Sequence, residues 1–363
     1  MAPGDPSART TLHLHIGAPK TGSSAIQAFL TLNRAAFQAA TGIHYPESAS
    51  DKRVLKGKPT SGNGARIGKL LRAKRRGAVE EAIDLARTEL GRGEAQLLLS
   101  NEGFWSVPNE AMAAFVGALK DEADVRFLFY ARPQVRHVES AYLQVLGNRG
   151  FDGDIGAYFE SLGRKFFAGS KLKALSELVG RDRVTVRKYD RKSLVGGDVV
   201  DDFLDAYGGR MGPEFQRPPE INTSLDPEHY LYARAAQGSS ARAGKAKRLM
   251  RSLSQDPVLS SLYARAAPVS GIRVMDVETA KRVRDAYRAD NELLDRLAPE
   301  AGLGFNAEND RAVAALEAEG EATPEGLSRL ELLLLSRVAQ LEIQLSELRG
   351  QAEADDEPED DED

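Results

Sequence analysis

HIGAPKTGSSAIQAFL, residues 15–30, decides how this chain is read. The apolar alternation TLHLHI (11–16) predicts a buried strand. It breaks at Gly17-Ala18-Pro19, and a helical period runs from Ser23 to Gln38 with Ile26, Phe29 and Leu30 on one face. A strand, a glycine-containing turn and a helix in that order aim several backbone N–H groups at one point, and the positive end of the helix dipole faces it too. A phosphate dianion suits such a point. Gly17 and Gly22 allow close backbone approach, and Ser23 and Ser24 add hydroxyl donors in the first helical turn.

Gly17 and Gly22 keep the spacing of the GxxxxGK[ST] nucleotide loop, but Ser23 stands where that loop has its lysine, and Lys20 lies inside the turn. A lysine there sits beside the 5' end of a shorter nucleotide rather than reaching a γ-phosphate.

Working outward, further strands are predicted at QLLLS (96–100), VRFLFYA (125–131) and RVTVRKY (183–189). Helices are predicted at 78–90, after Pro108, from Pro133 at its first position, and over 198–207 before Gly208-Gly209. Alternating strands and helices predict an α/β fold, a three-layer P-loop-like parallel sheet flanked by helices. Ligands bind such sheets beyond the C-terminal strand ends. The expected organisation is a disordered leader at 1–10 and one α/β domain over 11–310 with a helical subregion at 227–300. A linker at 311–326, a coiled-coil helix at 327–349 and a disordered acidic tail at 350–363 complete it. Leu327, Leu334, Leu341 and Leu348 repeat every seven residues, with Val338 and Leu345 at the second seam position. A homo-oligomer through that helix is the expected partner; an amphipathic helix packed on its own domain is the alternative.

The net charge of −5 conceals a basic body: residues 353–363 carry nine acids, and the remainder without them is +4. That balance suits anion handling and is too weak to argue for nucleic acid. There is no cysteine, which excludes disulfides, thiolate zinc and a cysteine nucleophile. No apolar run reaches a membrane span, and MAPGDPSARTT lacks the apolar region of a signal peptide, so a cytoplasmic protein is expected. Residues 52–76 hold ten Lys or Arg and no acid, either a grip for an anionic acceptor or a solvated loop followed by a helix face.

PKTGSS after a strand resembles the 5'-phosphosulfate loop of 3'-phosphoadenosine-5'-phosphosulfate (PAPS)-dependent sulfotransferases, written PKTGTT or PKSGTT, with serines for the two threonines. The family also holds the 3'-phosphate with a strand-end arginine and a serine eight residues on. FLFYARPQVRHVESAYLQ places Arg132 and Ser140 at that spacing, about 12 Å apart along a helix. GIHYP (42–46), LLSNEGFW (98–105), VRKYDRKSL (186–194) and NTSL (222–225) are similar to segments of bacterial members and follow their order, so the resemblance covers about 11–225. The basic glycine-rich 3'-phosphate loop of animal cytosolic enzymes has no counterpart.

The resemblance implies PAPS as co-substrate, no metal, and sulfuryl transfer to a hydroxyl or amine of a carbohydrate or other anionic acceptor. Lys20, Thr21, Gly22, Ser23, Ser24, Arg132 and Ser140 would hold the nucleotide. Lys20 would also serve the leaving oxygen. Glu102, at the end of a central strand, is the first candidate general base, provided partial burial raises its pKa, and His137 is the second. A glutamate that caps the next turn or pairs with Lys20, and a histidine exposed on its helix, are the plain alternatives. Two other functions stay open: a P-loop kinase or NTPase with a displaced lysine, and a non-catalytic nucleotide-binding scaffold.

Overall fold

The computed structural model describes residues 9–218 (except 59, 150, 152 and 164), 274–318, and 338, 341, 345 and 348. The chain forms two compact units.

The first unit, residues 1–137, 164–223 and 284–310, holds the sheet. Its four strands, β1 (Thr10–Ile16), β2 (Gln96–Asn101), β3 (Ala123–Ala131) and β4 (Val184–Lys188), are all parallel in the order β2-β1-β3-β4. The fold is α/β, as the alternation of elements predicts. Ile16 pairs with Asn101, so β1 and β2 end level, and β3 continues to Ala131 beside Lys188. After β1 the chain leaves for one side of the sheet, and after β2 it crosses to the other. The switch point therefore falls between the C-terminal ends of β1 and β3.

Side-chain alternation fills both faces. Leu12, Leu14 and Ile16 join Leu97, Leu99, Phe127 and Phe129 in one core, packed by α4 (Ala65–Leu71), α5 (Ala78–Leu90), α6 (Asn109–Leu119) and α9 (Ala168–Val179). Leu98, Leu128 and Tyr130 face the other way, onto α1 (Ser23–Leu32), α2 (Arg34–Thr41) and α10 (Val199–Ala206). His13 and His15 belong to that second face. His15 is fully buried, its Nδ1 2.8 Å from Ser100 Oγ, and burial lowers its pKa to about 3.

Four sequence expectations change, one of them the linker expected at 311–326, whose residues 311–318 continue the helix Phe305–Ala318. The helix expected over Ser23–Gln38 is two helices. Asn33 ends the first because its Nδ2 donates to Phe29 O and Gln216 O while its Oδ1 accepts from Gln216 N, a contact 183 residues away. The leader expected at 1–10 loses Thr10, which pairs with Ala123 in β1. The basic stretch 52–76 carries helix α3 (Asp51–Val54) and α4, with all ten basic side chains exposed and Arg66 and Arg75 paired to Glu81.

The second unit comprises 138–163, 224–283 and 311–363. It takes the C-terminal part of α7 (Gln134–Arg149), α8 (Ile155–Leu162), the start of α11 (Val277–Leu297) and the end of α12 (Phe305–Ala318). Tyr142, Phe151 and Tyr158 form an aromatic cluster in it, and Arg282 pairs with Glu160 at 2.6 Å. Of the segment expected as a coiled coil, Val338, Leu341, Leu345 and Leu348 are helical and exposed; its remaining positions, most of the 227–300 helical subregion, NTSL and the acidic tail lie outside the described residues. Among the described residues no helix is long and apolar enough to cross a membrane.

Candidate functional site

The turn after β1 is held open by its own backbone. Lys20 adopts φ 64, a left-handed conformation that is costly for a lysine, and Gly22 follows at φ 80 as the N-cap of α1. A side chain at Gly22 would run into Val199 Cγ1 at 2.8 Å and Tyr189 Cε2 at 3.0 Å. Gly17 is equally constrained, since a Cβ there would lie 2.0 Å from Ser23 Oγ. Inside the turn, Thr21 Oγ1 donates to Ala18 O at 2.6 Å. Thr21 is thus spent on shaping the loop, and its hydroxyl proton is not offered to a ligand.

Helix α1 begins with bonds from Ala25 N and Ile26 N to Gly22 O, so the amides of Ser23 and Ser24 are not used by the helix. Ser23 is 4% exposed and its Oγ has no hydrogen-bond partner among the described residues. A buried, unsatisfied hydroxyl costs about 1–3 kcal/mol, so its presence at a helix N-terminus beside free amides fits an anion that completes it. Ser24 is half-buried in the same turn. These groups together suit an anion at the start of α1.

Across the switch point, Arg132 leaves the end of β3. Its Nη1 donates to Lys20 O at 3.3 Å, and its guanidinium lies 5.7 Å from the centre of the Tyr189 ring. The Lys20 ammonium has its pKa lowered, first by burial and then by the Arg132 charge, while Glu102 pulls the other way. Among the described residues, Lys20 and Arg132 thus share one mouth with the Glu102 carboxylate near them. The sheet brings Lys20, Ser23, Ser24, Glu102 and Arg132 together from three separate stretches of chain. Ser140 is half-buried in α7, within the second unit.

Glu102 opens the 3₁₀ turn Glu102–Ser106, directly beside Gly17. It is exposed, so the partial burial expected of a general base is missing. His137 departs further from expectation. It is 3% exposed rather than on a helix surface, its ring stacks on Phe166 at 3.9 Å, and its Nε2 faces Pro19 O at 2.5 Å. A carbonyl only accepts, so Nε2 carries the proton and donates. Burial, with Arg132, Lys165 and Lys20 nearby, lowers its pKa to about 3. His137 is neutral near pH 7 and grips the loop. Its environment fits positioning, not proton abstraction through Nε2.

The residues that fix this geometry were not visible in the sequence. Gln134 and Asn291 exchange amide bonds at 2.9 and 3.0 Å, Asn309 Nδ2 donates to Gln134 Oε1, and Asn309 Oδ1 caps Val135 N. This buried amide knot seats the first turn of α7, and with it His137. The only signal in the sequence was a pair of asparagines inside helical patterns, Asn291 and Asn309.

No known protein-family profile matches the chain. No curated protein matches it either. A solved structure, a sulfotransferase from Alicyclobacillus acidocaldarius, is similar at 17% identity over 63% of this chain and 93% of that one, with a TM-score of 0.34.

Proposed function

We propose that this chain is a PAPS-dependent sulfotransferase acting on a hydroxyl of a carbohydrate or similar acceptor. One observation supports it above the rest: the unpartnered Ser23 hydroxyl and the unused amides of Ser23 and Ser24 share a mouth with Lys20 and Arg132. Such a set binds an anion with donors on one side and cations on the other.

In this reading, Arg132 holds the 3'-phosphate and so helps fix the sulfur in line with the acceptor oxygen. The acceptor oxygen bonds to sulfur as the bond from sulfur to the bridging phosphate oxygen breaks. Charge develops on that leaving oxygen, where Lys20 and the amides of residues 21–24 stabilise it. The acceptor proton passes to a base at the same mouth; Glu102 is the candidate there, and a bound acceptor would have to supply the burial that the exposed carboxylate lacks. His137 keeps the loop in register by holding Pro19 O.

Differential scanning fluorimetry with 3',5'-ADP and with Mg-ATP tests the reading. Stabilisation by 3',5'-ADP alone is expected; a response to Mg-ATP alone supports a displaced-lysine kinase, and no response to either leaves a scaffold. The same proposal includes self-association through the seam Val338, Leu341, Leu345 and Leu348. Leu341→Asp with Leu345→Asp should lower the sedimentation coefficient of the full chain, and an unchanged value removes the oligomer.

A further inference from the structure

A cavity of about 330 Å³ opens in the first unit between the 3₁₀ turn that follows β2 and the start of α9. Its walls include Trp105, Ser106, Asn109, Lys165, Phe167 and Lys171. Trp105 is fixed on two sides: its Nε1 donates to Lys165 O at 2.7 Å, and its ring meets Phe129 edge to face at 5.6 Å. The Lys171 Nζ lies 5.9 Å from the centre of the Trp105 ring, and the Lys165 Nζ lies 6.0 Å from that of Phe166. Among the described residues, neither lysine has a carboxylate partner. The acid in this neighbourhood, Asp290, is occupied, accepting from Gly169 N at 2.8 Å, Ser170 N at 2.7 Å and Ser170 Oγ at 2.6 Å.

A half-buried ammonium paired only with an aromatic face is costly, and burial lowers the Lys171 pKa to about 8. A cavity that keeps such a group is suited to a ligand that returns the missing negative charge. Trp105 and Phe167 line the cavity with aromatic carbon, a lining suited to contact with the apolar face of a ring. The cavity begins at Trp105, three residues along the turn from Glu102, and Lys165 is close enough to His137 to act on its charge.

We infer that this cavity binds an acidic ring, a sugar or similar ring bearing a carboxylate, with the carboxylate on Lys171 and Lys165 and the ring against Trp105. Resting on the sulfotransferase reading, it is the acceptor's binding site and makes the acceptor class acidic. The ring's free hydroxyls then extend along the turn toward Glu102.

Trp105 is the sole tryptophan of the chain, so its fluorescence reports this cavity without any nucleotide. Titration of the full chain with glucuronate should change the signal saturably, and glucose at the same concentrations should not. Lys171→Met and the exposed-site Lys165→Gln should each weaken the glucuronate midpoint by about tenfold while keeping the 3',5'-ADP thermal shift. Equal responses to glucose and glucuronate overturn the inference, as does an unchanged midpoint in Lys165→Gln. Lys165→Gln decides the matter if Lys171→Met does not fold. A glucuronate response without any 3',5'-ADP shift sinks the donor reading and leaves the cavity standing; the reverse pattern sinks the cavity alone.

Discussion

The mouth at residues 17–24 and the cavity around Trp105 both gather cations, but by different means. The first is a backbone device: a left-handed Lys20, a left-handed Gly22 and unused amides at the start of α1. Its donors come from one short stretch, joined by Arg132 from the end of β3. The second is a side-chain device, assembled from positions 105–109 and 165–171 by packing. His137 stands between them, donating to Pro19 O on one side and stacking on Phe166, the neighbour of Lys165, on the other. Backbone sites are written locally and read locally. Side-chain cavities exist only once the layers have closed.

The sharpest way to break this comparison is Lys20→Ala. If the mouth stabilises a leaving oxygen, transfer from PAPS should fall by about 10²–10³-fold in kcat/KM with little change in stability. Full activity in that variant would remove the lysine from the chemistry.

Acid comes next. His15 and His137 are buried and neutral, each with a pKa of about 3 against 6.5 when unfolded. The unfolded chain gains their protons first as pH drops, so the stability they permit is full above about pH 6.5 and is lost progressively toward pH 3. Unfolding free energies from urea titration at pH 7 and pH 4 should differ by several kcal/mol, and His137→Phe, which keeps the stack on Phe166, should show a smaller difference. An identical pH dependence in the variant would mean that His137 is already charged in the fold.

Gly22→Val should cost about 2–3 kcal/mol in urea unfolding, from the positive φ and the clash with Val199. The smallest expected effect is the most diagnostic. Ser23→Ala removes a buried hydroxyl that has no partner, so stability should hold or rise slightly, while 3',5'-ADP affinity falls by about three- to tenfold. A variant that loses stability without losing affinity would make Ser23 a structural residue.

Much of the fold was readable in advance. The apolar runs at 11–16, 96–100 and 125–131 became parallel strands, and the 78–90 period became α5 at the same bounds. Arg132 was marked by the resemblance, and it lies at the end of β3 with its Nη1 on Lys20 O. The Asn33 break, the exposed Glu102 and the buried His137 were not readable, because each depends on a partner far along the chain or on how the next layer packs.

The amino-acid order alone determined the period of each strand and helix, the glycine-permitted turn after β1 and the donors within it, because these depend on dihedral limits and spacing inside a few residues. Tertiary packing decided which histidine is neutral, that Arg132 reaches Lys20 across the switch point, and that among the described residues Lys171 is left against Trp105 without a carboxylate. Burial and long-range charge set those outcomes, and neither has a value until the layers meet.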